Sequence, residues 1–171
     1  PFLSGGPVPP DRFIGREAQL NEVLSRLDNS DSSLLVGESK IGKSSFKKLL
    51  HESQTAAPHL EPSERWIFVF LDCHSISSTY QVVDFWTRVL SEVIPRIPHG
   101  SLRARFERYD MSRFDPFTLN DLFLRLGREG WQTVLMLDEF DSLLSLPVAN
   151  RDLFGPLRSI ASNTAGLALV A

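Results

Sequence analysis

The chain has 171 residues, with 42% hydrophobic and 23% charged residues, which are values typical of one soluble globular domain. It contains no apolar run near the roughly 18 residues of a membrane span, so we expect a soluble protein. The formal net charge of −3 gives no support for a polyanion partner, although a local basic patch stays open. The single cysteine, Cys73, cannot form an internal disulfide. This favours a reducing compartment, and we expect the cytoplasm.

The first part of the chain predicts an extended lead-in, a helix, a strand and a second helix. Residues 1–12 form the lead-in, because proline and glycine dominate their start. An amphipathic helix follows, with apolar residues three and four apart at Leu20, Val23, Leu24 and Leu27. Residues 32–37 are a short apolar run that ends in glycine. Helical spacing then resumes through Phe46, Leu49 and Leu50.

The second part alternates apolar runs with helical patterns. The runs at 65–73, 131–140 and 166–171 predict strands, and the lack of polar alternation suits strands buried on both faces. Helices are predicted over 79–94, over 118–130 with a cap at Thr118 or Asn120, and, in a broken form, over 151–163. Residues 95–117 carry several prolines and predict an irregular or short-helix insertion. The alternation predicts an α/β fold with a parallel sheet covered by helices.

A phosphate-binding pattern connects the first strand and the second helix. It consists of Gly37, Glu38, Ser39, Lys40, Ile41, Gly42, Lys43 and Ser44, with Ser45 directly after it. The glycines let backbone N–H groups turn towards phosphate oxygens, the lysine reaches the β and γ phosphates, and the serine hydroxyl ligates magnesium. A glycine-rich turn with a solvated lysine is the alternative, but the flanking strand and helix favour a site for ATP or ADP with Mg²⁺.

Two acidic residues follow the apolar run at 134–137. Asp138 and Glu139 come where that strand is predicted to end, and ligands bind at the carboxyl ends of strands in parallel sheets. Asp138 is predicted to hold, directly or through water, the magnesium that Ser44 ligates. Glu139 is predicted to polarise the attacking water as a general base. A solvated acidic turn is the alternative interpretation.

Together these motifs resemble the additional-strand class of P-loop ATPases. Within that class the chain is similar to STAND-type (NACHT or AAA-like) signalling ATPases and to initiator-like AAA+ ATPases. Both open with an apolar-Gly-Arg-Glu segment, which is matched here by Phe13, Ile14, Gly15, Arg16 and Glu17. The resemblance implies that the backbone around Phe13, Ile14 and Gly15 flanks the adenine. A plain capped helix is the alternative.

The resemblance also implies a P-loop NTPase sheet of order 5-1-4-3-2 with helices on both faces. In such proteins a sensor residue, strand 5, a helical lid and often an arginine finger follow strand 4. The chain stops at Ala171, within or just after strand 4. We therefore expect residues 1–171 to be the nucleotide-binding core of a longer multidomain protein. We also expect this segment alone to be a weak or inactive ATPase that associates with itself or with other domains of the same protein through the uncovered edge of strand 1.

Other functions fit the sequence less well. A GTPase would carry glycine three residues after Asp138, where this chain has Asp141. The four histidines show no metal-ligand spacing, and Cys73 reads as a buried thiol rather than a reactive one. Arginines are frequent between Arg96 and Arg113, but acidic residues interrupt them, which favours a solvated or partner-facing surface over a nucleic-acid site.

The preferred function is an ATP-binding and ATP-hydrolysing switch in a STAND-type sensor or defence protein, in which nucleotide state controls assembly. An initiator-like AAA+ module acting on DNA is the alternative from another class. A non-hydrolysing ATP-binding interaction domain is the third hypothesis.

Overall fold

A computed structural model describes residues 17–29, 32–33, 46, 65–163 and 166–171, which form an α/β fold with a three-stranded parallel sheet. The strands are β1 (Trp66–Asp72), β2 (Gln132–Asp138) and β3 (Leu167–Val170), and they lie side by side in that order. Ser33 forms a parallel bridge with Val170 on the far side of β3. In the predicted numbering these strands would be 2, 3 and 4, with Ser33 in strand 1. The full order 5-1-4-3-2 stays a prediction.

Helices cover both faces of this sheet. The described α-helices are α1 (Glu17–Asp28), α2 (Val82–Val93), α3 (Ser101–Glu107), α4 (Pro116–Arg128), α5 (Phe140–Leu144) and α6 (Arg151–Asn163). Short 3-10 turns lie at Cys73–Ser75, Ile94–Arg96 and Met111–Arg113. None of the helices in the described ranges has the length and apolarity that crossing a membrane would require.

The two faces of the sheet bury separate apolar clusters, because successive side chains of a strand point to opposite sides. On the first face, helices α2 to α6 pack over side chains that include Ile67, Val69, Leu71, Leu135 and Leu137. On the second face, α1 and Phe46 pack over Phe68, Val134, Met136, Ala168 and Val170. β2 lies between the other two strands, and all seven of its residues are buried. The predicted burial of the strands on both faces is confirmed for β2.

An aromatic cluster joins the helices of the first face. The rings of Phe85 and Trp86 meet edge to face, with centroids 5.4 Å apart, and Trp86 also packs at 6.0 Å against Phe123 of α4. Phe106 of α3 contacts Phe123 edge to face at 5.9 Å. Residues 95–117, predicted to be an irregular or short-helix insertion, thus contain a short helix whose aromatic side chain is part of the core. Cys73 is buried in the same core, as predicted for an unreactive thiol.

The start of α4 differs from the prediction. A cap at Thr118 or Asn120 is wrong, because the helix begins at Pro116 and Asp115 is the cap. Asp115 accepts hydrogen bonds from the backbone N–H groups of Phe117 and Thr118 and from the Thr118 hydroxyl. The Thr118 hydroxyl and N–H hold the pKa of the Asp115 carboxyl below its usual range. Proline suits the first helical position, because it has no N–H to leave unpaired there and its φ is already helical.

The prediction of a broken helix over 151–163 is also wrong. The helix α6 runs without interruption from Arg151 to Asn163, with Pro156 in its interior. Proline removes one backbone hydrogen bond and crowds the preceding turn. Tertiary packing compensates for that cost, because Leu153, Leu157 and Ile160 lie on one face of the helix and are almost fully buried.

The residue before β3 makes a close backbone approach to α4. Gly166 is buried, and its carbonyl accepts a hydrogen bond of 2.9 Å from the N–H of Thr133 in β2. A Cβ atom built on Gly166 would collide with the carbonyl oxygen of Phe123 and would lie 3.1 Å from the backbone N of Gly127. Both are backbone atoms of a packed helix and cannot rotate away. Glycine therefore lets the sheet and α4 approach each other at this point.

We expect Gly166→Ala to lower the free energy of unfolding by about 1–3 kcal/mol, the usual cost of overpacking a core. Urea denaturation followed by circular dichroism measures it. Gly155→Ala is the control, because a Cβ on that exposed residue of α6 meets no atom within 4 Å outside its chain neighbours and its own helix backbone. The gain in helix propensity is offset there by Pro156, whose ring crowds the Cβ of a preceding helical residue, so the free energy of unfolding should change by less than about 1 kcal/mol. Equal stability of the two variants would contradict the close approach at Gly166.

Candidate functional site

The two predicted acidic residues lie at the carboxyl end of the central strand. Asp138 is the last residue of β2 and is 8% exposed, whereas Glu139 is exposed and lies in the turn that leads to α5. The sequence predicts strand up to residue 140, but the strand ends at Asp138 and α5 begins at Phe140. The two carboxylates therefore occupy the edge of the sheet where parallel α/β proteins bind ligands.

Glu139 has a left-handed backbone, with φ 50° and ψ 44°. For a residue other than glycine this conformation costs about 1–2 kcal/mol. The residues after it hold the turn in place: the Glu139 carbonyl accepts a hydrogen bond of 2.8 Å from the N–H of Ser142, and Leu143 is fully buried. The ring of Phe140 packs edge to face against Phe154 of α6 at 6.1 Å. Packing of α5 thus fixes the backbone that carries the predicted general base.

A third carboxylate, which the sequence analysis did not single out, ends the neighbouring strand. Asp72 of β1 pairs in register with Asp138 of β2. Its side chain accepts a hydrogen bond of 3.0 Å from the N–H of His74 and so caps the following 3-10 turn. That turn packs beside α5. An apolar run that ends in aspartate, as at 137–138, is the sequence signal that could have pointed to Asp72.

Both flanks of the phosphate-binding pattern are held on this sheet. Before the pattern, the N–H of Ser33 donates to the carbonyl of Leu169 at 2.7 Å, and the N–H of Ala171 donates to the carbonyl of Ser33 at 3.1 Å. After it, Phe46 is helical, 2% exposed and part of the core on the face of α1. Val170, the partner of Ser33, is level with Met136, two residues before Asp138.

The helix α1 is held on the same face. Its side chains Val23, Leu24 and Leu27 are buried in the cluster that contains Phe46, which confirms the predicted apolar face of this helix. At its carboxyl end, the carbonyl of Leu27 accepts a hydrogen bond of 3.2 Å from Nε2 of Gln132, the first residue of β2.

The remaining predicted site residues lie outside the described residues. They are Phe13, Ile14, Gly15, Gly37, Glu38, Ser39, Lys40, Ile41, Gly42, Lys43, Ser44 and Ser45. Within the described ranges, no group of three or more histidine, cysteine, aspartate or glutamate side chains is arranged to hold a metal ion. The predicted magnesium ligands are Asp138 and Ser44, of which the structure describes only Asp138.

Several arginines of residues 95–117 pair with acidic neighbours. Arg103 contacts Glu107 at 2.7 Å and Arg113 contacts Asp110 at 4.0 Å, while Arg96 reaches back to Glu92 of α2 at 2.9 Å. Helical ion pairs of this kind are ordinary on solvated surfaces. They agree with the interpretation of this segment as a solvated surface.

The fold can be compared with known structures once this geometry is in place. It is similar to the structure of the ORC2 protein of Aeropyrum pernix, determined in ADPNP–ADP complexes, with a TM-score of 0.59 and 17% sequence identity. The likeness covers 93% of this chain and 41% of that protein, so the chain spans about two fifths of its length. The two proteins share a fold. The described sheet and the likeness both agree with the predicted α/β fold, in which helices cover a parallel sheet.

Sequence comparisons give no further assignment. No family model matches the chain, and no curated protein matches it. At 17% identity the structural likeness concerns the fold alone.

The left-handed backbone at Glu139 predicts an unusual order of stability. We expect Glu139→Gly to be more stable than Glu139→Ala by about 1 kcal/mol, because glycine adopts this backbone without steric cost. The control is the same pair of substitutions at the exposed helical residue Glu22 of α1, where alanine should be more stable than glycine by about 1 kcal/mol. Thermal unfolding of the four variants measures both differences. The same order at both positions would contradict the left-handed turn.

Proposed function

We propose that this chain is an ATP-binding module in which Mg²⁺-dependent binding and hydrolysis of ATP drive a conformational switch. The observation that supports this proposal is that residues on either side of the phosphate-binding pattern pack or pair with the sheet that contains Asp138. Ser33 pairs with Val170, the last residue of β3. Phe46 is buried on the sheet face that α1 covers. Gly37, the first residue of the pattern, follows Ser33 by four residues in the sequence.

The residue types at this edge fit a magnesium-bound triphosphate. Carboxylate and hydroxyl oxygens are the ligands that magnesium prefers, and it retains several of its waters. Asp138 and Ser44 would supply one oxygen each, and the bound ion would neutralise charge on the phosphates. Backbone N–H groups of 37–44 and the Lys43 ammonium would bind the phosphate oxygens. The exposed Glu139 carboxylate would orient a water and accept its proton during attack on the terminal phosphate.

Two biological settings suit this chemistry. A STAND-type sensor or defence protein, in which nucleotide state controls assembly, is the setting favoured by the resemblance of the sequence motifs. An initiator-like AAA+ module that acts on DNA is the second, and the fold likeness to the Aeropyrum pernix ORC2 protein favours it. Fluorescence anisotropy with a labelled duplex, with and without Mg-ATP, separates them, because only the second setting requires nucleotide-dependent DNA binding by the protein.

The first functional prediction concerns binding. We expect Lys43→Ala to lower the affinity for ATP at least about tenfold, because the lysine ammonium would make charged hydrogen bonds to the β and γ phosphates. Lys40→Ala is the control, since it removes the same charge from the same loop at a position that the motif leaves variable. Titration of a fluorescent ATP analogue measures both affinities. If Lys43→Ala and the unchanged protein bind the analogue equally, the phosphate site is not there.

The second concerns hydrolysis. In the full-length protein, we expect Glu139→Gln to bind Mg-ATP with unchanged affinity and to release phosphate at least about a hundredfold more slowly, the scale of general-base catalysis. Single-turnover phosphate release is the measurement, because it also resolves slow reactions. Asp141→Asn serves as the control, since it neutralises an exposed carboxylate two residues away in α5. Comparable rates in the Glu139→Gln variant and the unchanged protein would place the base elsewhere.

A further inference from the structure

We draw no further inference here: the strongest candidate, the exposed surface patch of Arg113 and Phe117 at the turn that leads into α4, carries none because nothing in the described part of the structure shows what covers it.

Discussion

The complete burial of β2 is the constraint on which the rest of the fold depends. A strand without an exposed residue needs hydrogen-bonded neighbours along both edges and apolar layers over both faces, because an unpaired backbone group in the interior costs as much as a lost hydrogen bond. β1 and β3 meet the first requirement, and the two apolar clusters meet the second. Asp138 ends this strand, so its position is fixed by the most constrained element of the described chain.

The close contacts around β2 leave little freedom to its neighbours. Gly166 brings β3 directly against the backbone of α4, and the ring of Phe123 in α4 joins the aromatic rings of α2 and α3. Protein interiors are close-packed, and they therefore transmit displacements rather than absorbing them. A shift at one helix of this face is therefore felt by the others and by the strand that carries the acidic residues.

The backbone at Glu139 shows how stability and the proposed catalytic role oppose each other at this residue. Asp138 is held by regular strand pairing, whereas the next residue is in a conformation that side chains other than glycine disfavour. Glycine would relieve that cost but would remove the carboxylate. Strained residues of this kind persist where the surrounding packing determines them, and here α5 supplies that packing.

Local patterns predicted the elements that depend on one face or one run of residues. The spacing of Val23, Leu24 and Leu27 located the buried face of α1, and unbroken apolar runs located all three described strands. The predicted start of α4 and the predicted break in α6 were wrong, because a neighbouring residue decided the first and tertiary packing decided the second. Asp115 caps α4 because Pro116 can begin a helix, and α6 continues through Pro156 because its apolar face is buried.

The sequence by itself determined the kind of chemistry to expect, since the phosphate-binding pattern and the acidic pair are defined by residue type and spacing. Only the tertiary structure decided that Asp72 is level with Asp138, that Ser33 pairs beside β3, and that Gln132 reaches Leu27. These contacts join segments far apart in the chain. Which segments become neighbours depends on the surface that the whole domain buries and on the entropy of closing the loops between them, and neither quantity is present in a local pattern.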